Sequence, residues 1–260
     1  MFKQVNVERE DLLPPTEAPR EDERPLPFTG HLEELRWRIW ICVGALLLTT
    51  AGSFAWTAQL IAWLRAPAGA FLPTLAFLAP TEAFLAHVNV AVGSGVILSA
   101  PVVLTQCWRF VRPALAPPMQ RWSALVIGSG SALFLGGVAF AYTVLLPVAL
   151  KFLLTFGTPT LEPVISIGQY VSFVMTVLLA SGLVFELPLV IGVLTAGGVL
   201  TPEGLRRQWR AAYLGIAVAA AFLTPTPDVV TMLLLMVPLL ALYESSILLA
   251  RVVARRRQGP

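Results

Sequence analysis

The sequence predicts an all-α integral membrane protein with six transmembrane helices and both termini on the cytoplasmic side. Three observations carry that prediction. The chain is 57% hydrophobic and only 13% charged, with a mean hydropathy of +0.76, whereas soluble domains carry roughly a quarter charged residues. Apolar stretches recur at roughly 39–60, 84–108, 122–149, 168–196, 211–224 and 229–250. Basic residues then segregate to alternate ends of those stretches. Arg36 and Arg38, Arg109, Arg112 and Arg121, Arg206, Arg207 and Arg210, and Arg251 with Arg255, Arg256 and Arg257 share one side, while Arg65 and Lys151 hold the other. The side rich in arginine is the cytoplasmic one.

Residues 1–27 read as a disordered cytoplasmic tail, polar and spaced with proline, and too poor in apolar surface to fold alone. Residues 28–253 form the membrane domain and residues 254–260 a basic cytoplasmic tail. The domain opens on Phe28–Arg38, FTGHLEELRWR. Thr29 is placed to cap an entering helix. Leu32, Leu35 and Ile39 line one face of it, and Glu33 and Glu34 fall in its first turn, where the helix dipole favours anions. Glu34 precedes Arg38 in the favourable i, i+4 order. From spacing alone, these charges either hold a helix end at the water–lipid boundary or form a recognition site.

At 1.5 Å per residue the first four stretches are long enough to cross about 30 Å of hydrocarbon. The fifth, AAYLGIAVAAAFLT, reaches only about 21 Å, which implies local thinning of the bilayer or a shielded place in the bundle. Ala66-Pro67-Ala68 resembles a signal-peptidase site, but apolar character runs from Ile39 to about Leu64, too long for a cleaved leader. The first span is therefore expected to be retained. Trp37, Trp40, Trp56, Trp63, Trp108, Trp122 and Trp209 stand near span ends, as interfacial anchors do. The external loops Ala66–Pro80 and Thr155–Gly168 are rich in Pro and Gly yet partly apolar, and are expected to pack on each other or on the bilayer surface. Cys42 and Cys107 form no disulfide framework.

Polar residues within the spans mark the candidate chemistry. Glu186 is the one carboxylate deep in a long apolar span, ASGLVFELPLVIG. A residue of that kind faces the bundle interior or water. Pro188 should bend the helix there and free a carbonyl one turn back. Gln106 of the second span is the expected hydrogen-bond partner of Glu186. The pair reads equally as a structural inter-helix bond or as a functional site. Asp228 and Glu82 open the sixth and second spans, where capping is the favoured explanation. Glu244 is expected to pair with Arg251 or to snorkel. His31 and His87 are too few and too far apart for a metal site. With no nucleophile elbow, phosphate loop or His/Cys cluster, the sequence offers no catalytic constellation and calls for no cofactor.

Taken in order, HLEELRWR (31–38), PTEAF (80–84), LSAPVVLTQCWRFVRPAL (98–115), GGVAFAYTVLLPVALKFL (136–153), SFVMTVLLASGLVFELP (172–188), TPEGLRRQWR (201–210), LTPTPD (223–228) and VPLLALYE (237–244) resemble the TatC family of the twin-arginine translocase. The resemblance implies a concave six-helix bundle with helices five and six short. It also implies a receptor in the bacterial cytoplasmic (inner) membrane that binds Arg-Arg signal peptides of folded proteins. Such a receptor recruits single-span TatA/TatB-type subunits and works as an oligomer in that complex, with no nucleic acid involved. By this resemblance, signal recognition falls on the cytoplasmic end of the first helix (His31, Leu32, Glu33, Glu34, Leu35, Arg36) and on the following cytoplasmic loop (Phe110, Pro113, Met119). Glu34 and Arg36 match the charged pair of the family's HLxELR motif. Glu186 and Gln106 match polar positions of the concave face, and Asp228 and Pro67 match external positions.

One departure stands out. A few residues after RPAL the family usually carries a second glutamate for the arginine pair, and here Met119 stands in that place. No Asp or Glu occurs between Glu82 and Glu162 to replace it. Glu34 is then the principal acceptor, helped by Glu33 or by carbonyls of the Pro117-Pro118 turn. The competing reading is a small-solute or proton-coupled transporter using Glu186. Such a transporter would show internal repeat symmetry, and none is visible in the sequence.

Overall fold

The computed structural model describes residues 28–71, 75–114, 120, 122–155, 164–223 and 229–258. The chain divides into two compact units, Met1–Trp37 and Arg38–Pro260, and each is described by itself. The first contributes the start of helix α1 (Phe28–Phe54). That helix already includes Thr29, so Thr29 lies inside it and does not cap it, and no acidic residue falls in its first turn. Glu33 and Glu34 stand one turn further in.

The second unit is almost entirely helical. After α1 come α2 (Thr57–Arg65), a 3-10 turn (Ala66–Phe71), α3 (Glu82–Val111) and a second 3-10 turn (Arg112–Ala114). Then follow α4 (Ser123–Phe140), a π-helical turn (Ala141–Leu145) and α5 (Leu146–Thr155). The chain continues through α6 (Ile167–Phe185), α7 (Leu187–Ala196), α8 (Pro202–Arg207), α9 (Trp209–Leu223) and α10 (Val229–Gln258). Five segments are long and apolar enough to span a bilayer: Leu32–Phe54, Glu82–Val111, Ser123–Thr155, Ile167–Ala196 and Val229–Ala254. The sixth is the short apolar helix Trp209–Phe222. The predicted six-span, all-α architecture is thus present. Helix five is short as expected. Helix six is not: its apolar part alone covers 26 residues, and the helix runs on into the basic tail because nothing helix-breaking separates Ala254 from Gln258.

Small residues let these helices approach closely, as packing in lipid requires. A Cβ on Gly137 would stand 2.6 Å from the Ser181 carbonyl oxygen, and one on Gly182 would stand 2.9 Å from the Phe134 ring. These contacts seat α4 on α6. Gly93 brings α3 against Met175 of α6 in the same way. Leu146, Val90, Val171, Val174, Leu239 and Ile247 fill the core between α3, the α4–α5 segment, α6 and α10.

Three spans are interrupted. The first apolar run does not continue as one helix to Leu64. It breaks at Ala55-Trp56, where Ala55 and Trp56 N–H donate to the Gly52 and Ser53 carbonyls. Thr57 donates its hydroxyl proton to the Phe54 carbonyl (3.1 Å), so the 2.7 Å contact with His87 Nδ1 has the imidazole as donor. In the third span the π turn precedes Pro147, with Leu146 N–H reaching back to the Ala141 carbonyl; the wider turn accommodates a residue that cannot donate. The fourth span breaks at Glu186, as Pro188 predicts, and separates α6 from α7. Helix α7 then ends in a Schellman motif. Val199 N–H donates to the Leu194 carbonyl and Gly198 N–H to that of Thr195, with Gly198 at φ 79°, a conformation that glycine adopts without penalty.

The external loops pack on each other. Ala76 N–H donates to the Ile165 carbonyl (3.0 Å), and Ile167 N–H donates to that of Ala76 (2.8 Å). Glu82 does not cap its own helix here. Its carboxylate accepts from Leu78 N–H (2.6 Å), from the Ser166 hydroxyl and from Gly168 N–H (3.2 Å). It therefore sits at the N-terminus of α6, where Ser166 is the capping residue, and the dipole of the neighbouring helix favours its charge. Nearby, Tyr142 and Tyr170 donate their hydroxyls to the Trp63 and Leu64 carbonyls at 2.8 and 2.7 Å.

On the cytoplasmic side, Glu244 pairs with Arg206 (3.6 Å) and accepts from the Tyr213 hydroxyl (2.9 Å), in place of the expected Arg251. Arginine at position 206 reaches it because α8 packs on α10. Trp108 is a further correction. Unlike the other interfacial tryptophans it is buried, since α4 and α6 cover α3.

Replacing Glu82 by Ala orphans three donors from two loops. The variant should lose roughly 1–3 kcal/mol of stability, read as a lowered melting temperature of the purified protein in detergent. Glu82→Gln, which keeps one acceptor oxygen, should lose less.

Candidate functional site

The predicted site residues fall into four places. Leu32, Glu33, Glu34, Leu35 and Arg36 lie in the opening turns of α1, with His31 on the same stretch of helical backbone. Glu34 and Leu35 are half-buried, whereas Leu32, Glu33 and Arg36 are exposed. The two adjacent carboxylates thus differ in environment. A partly desolvated carboxylate binds a guanidinium more strongly than one surrounded by water, which screens its charge.

Phe110 closes α3, half-buried, and Pro113 sits exposed in the 3-10 turn that follows. Proline presets φ and ends the helix at that point. Arg109 and Arg112 are exposed on the same turns. Met119 lies outside the described residues, as does Asp228.

Gln106 and Glu186 are both buried, at 8% and 6% exposure. They do not bond to each other. Both carboxylate oxygens of Glu186 lack a hydrogen-bond partner among the described residues. A Cβ on Gly130 of α4 would stand 3.4 Å from Glu186 Oε2 and 3.5 Å from Leu104 of α3, so Leu104 is the α3 residue that approaches this place. Gln106, two positions on, points about 200° around the helix from Leu104. Sequence position could not show this, because depth along α3 and direction around it are separate coordinates. The break at Glu186 also matters, because Pro188 cannot donate to the Val184 carbonyl. Glu186 is therefore a buried acceptor pair at a helix break with its local bonding left incomplete. Sequence reasoning found that residue but supplied the wrong partner.

Pro67 is half-buried in the 3-10 turn Ala66–Phe71, which packs on α5. Together with Glu82 it belongs to the external assembly of loops. Sequence reasoning missed Ser166, Tyr142 and Tyr170 in that assembly. The Ser-x-x-Gln pattern at 166–169, just ahead of the apolar run, was the available signal for Ser166. Nothing local announces a tyrosine that will reach a carbonyl 79 or 106 positions away.

The family described as Sec-independent protein translocase protein (TatC) matches residues 30–238. The chain is 36% identical over 232 residues to the Sec-independent protein translocase protein TatC of Carboxydothermus hydrogenoformans, covering 89% of this chain and 96% of that one. It is 38% identical to the TatC protein of Aquifex aeolicus, over 90% of this chain and 98% of the relative. It is also 34% identical to the chloroplastic protein of Arabidopsis thaliana, over 94% and 72%. A crystal structure of the twin arginine translocase receptor TatC superposes with a TM-score of 0.78 at 36% identity, covering 86% of this chain and 99% of that one. A second crystal structure of the receptor, in DDM, gives the same TM-score at 37% identity. With the family model matching residues 30–238 and the fold shared with the solved receptor, this chain belongs to the TatC family of multi-pass membrane proteins, components of the Sec-independent twin-arginine translocase.

Proposed function

We propose that this chain is the receptor subunit of a twin-arginine translocase in a bacterial cytoplasmic membrane. It binds Arg-Arg signal peptides of folded cargo and recruits single-span TatA/TatB-type partners. The observation that carries this reading is the likeness to the twin arginine translocase receptor over 86% of the chain, together with a family match over residues 30–238 that takes in HLEELRWR. Glu34 is the principal acceptor of the arginine pair. Its half-buried setting, against the exposed Glu33, supports that choice. Two guanidinium groups present planar forks that a carboxylate meets in bidentate fashion, which an ammonium cannot match. His31 and Arg36 orient Glu34, while Phe110 and Pro113 shape the loop. Pro67 and Asp228 belong to the external end. Glu186 and Gln106 are separate polar points for the apolar part of the peptide, and Glu186 is the one with unspent acceptor capacity.

Binding of the purified protein to an Arg-Arg signal peptide and to its Lys-Lys counterpart, each at two salt concentrations, tests the assignment. The expected result is a preference for Arg-Arg that disappears in Glu34→Ala and largely survives in Glu33→Ala. Equal affinity for both peptides in the parent protein would remove the receptor reading. Met119→Glu restores the second carboxylate and should tighten Arg-Arg binding severalfold, an exposed charge pair being worth up to about 1 kcal/mol; unchanged affinity would show that position 119 is not at the site.

Glu186 makes a prediction in which stability and function part company. A buried carboxylate without partners costs stability, so Glu186→Met should hold or raise the melting temperature while lowering transport of an Arg-Arg cargo. A purely structural role would instead appear as a lower melting temperature with transport intact per folded molecule.

A further inference from the structure

The corner between α8 and α9, on the cytoplasmic side, combines three features that the recognition site does not use. The first is a groove of about 380 Å³ lined by Leu200, Thr201, Leu205, Gln208, Ala212 and Tyr243, among others. Its walls are mainly apolar, and Tyr243 is held against it by a hydroxyl bond to the Leu205 carbonyl (2.7 Å). The second is charge. Of the three arginines at the corner, Arg206 is paired with Glu244. Arg207 and Arg210 are exposed, neither forms an ion pair among the described residues, and Arg210 lies over the Trp209 ring at 5.5 Å. They bracket Gln208 of the groove in sequence. The third is length. Helix α9 has 15 residues, about 22 Å, and falls short of a hydrocarbon core of about 30 Å.

We propose that the α8–α9 corner binds an anionic phospholipid of the cytoplasmic leaflet, its head group on Arg207 and Arg210 and an acyl chain in the adjoining groove. The occupant follows from the chemistry. A short span draws the surrounding leaflet inward, so that lipid head groups come level with the start of the helix. Trp209 prefers that interfacial depth. Two exposed guanidinium groups there, without an acidic partner among the described residues, select a phosphate that carries net charge over a zwitterionic one. An apolar groove beside them accepts a chain, which a free anion does not have. A basic signal peptide is disfavoured at this corner by the same charges, so the lipid site is distinct from the recognition segment of α1.

The test uses the purified full-length protein, stripped of lipid in neutral detergent. It is titrated with phosphatidylglycerol or with phosphatidylcholine of identical chains, and bound lipid is counted by native mass spectrometry. Phosphatidylglycerol should be retained about tenfold or more in preference. Arg207→Gln/Arg210→Gln should bring that preference down to the level of phosphatidylcholine, while Arg109→Gln, an exposed arginine at the far end of α3, should not. Ala212→Trp, which fills the groove and leaves the charges, should also reduce retention. Melting temperatures establish that each variant is folded, and the single arginine variants, each expected to lose part of the preference, replace the double one if it is not. Equal retention of the two lipids, or loss of preference in Arg109→Gln as large as in the pair, would overturn the site in favour of diffuse attraction. Release of the lipid by millimolar inorganic phosphate, or full retention in Ala212→Trp, would overturn the lipid as occupant and leave a simple anion contact.

Discussion

In a bilayer no water is available to a backbone group that leaves its helix, so every change of direction must be closed by the protein itself. That constraint accounts for the external end of this molecule. Glu82 receives two backbone donors and a hydroxyl from two different loops. Tyr142 and Tyr170 accompany it by donating to the end of α2. Thr57 and His87 close the break between α1 and α2. The result is that α2, α3, the π turn and α6 are tied together by side-chain bonds placed near where the helices themselves stop. Apolar packing alone would leave these junctions as unpaired donors and acceptors, each costing several kcal/mol in hydrocarbon.

Against that background Glu186 is conspicuous. The molecule satisfies the carboxylate at its external end three times over and leaves both oxygens of the buried one unpaired among the described residues. Gly130 keeps space beside it, and the proline two residues on withholds a backbone donor at the same turn. Arrangements that sacrifice stability locally tend to mark function. The neighbouring helices meet closely through glycines, Gly137 of α4 against the Ser181 carbonyl and Gly182 of α6 against the Phe134 ring.

The cytoplasmic end is governed by charge. Positive residues set the orientation, and their partners set what remains available. Glu244 engages Arg206 and Tyr213, a pair too exposed to contribute much to stability. Its effect is to neutralise one arginine of three, leaving a defined cationic corner beside a short helix. Glu34 is the half-buried carboxylate of the opening turns of α1, next to the exposed Glu33. With Met119 in place of a second acid, the proposed recognition of an arginine pair depends chiefly on that one carboxylate.

The sequence by itself determined the class of molecule, the six spans, their orientation and the break at Glu186. Each of these depends on hydrophobic length, on arginine asymmetry or on the missing N–H of Pro188, and such properties are local and survive without a partner in space. Order of motifs also determined the family, since HLEELRWR, VRPAL and VFELP are read directly from the chain. Tertiary structure decided who meets whom. Glu82 serves α6 and not its own helix; Glu244 takes Arg206 and not Arg251; Trp108 turns inward; Leu104, and not Gln106, approaches Glu186. In every case the sequence position gives the depth of a residue along its helix. The rotation of that helix, and the neighbour it turns toward, follow from where glycines allow close approach and where loops pin the ends. Those are long-range packing constraints, and a period of 3.6 residues carries no information about them.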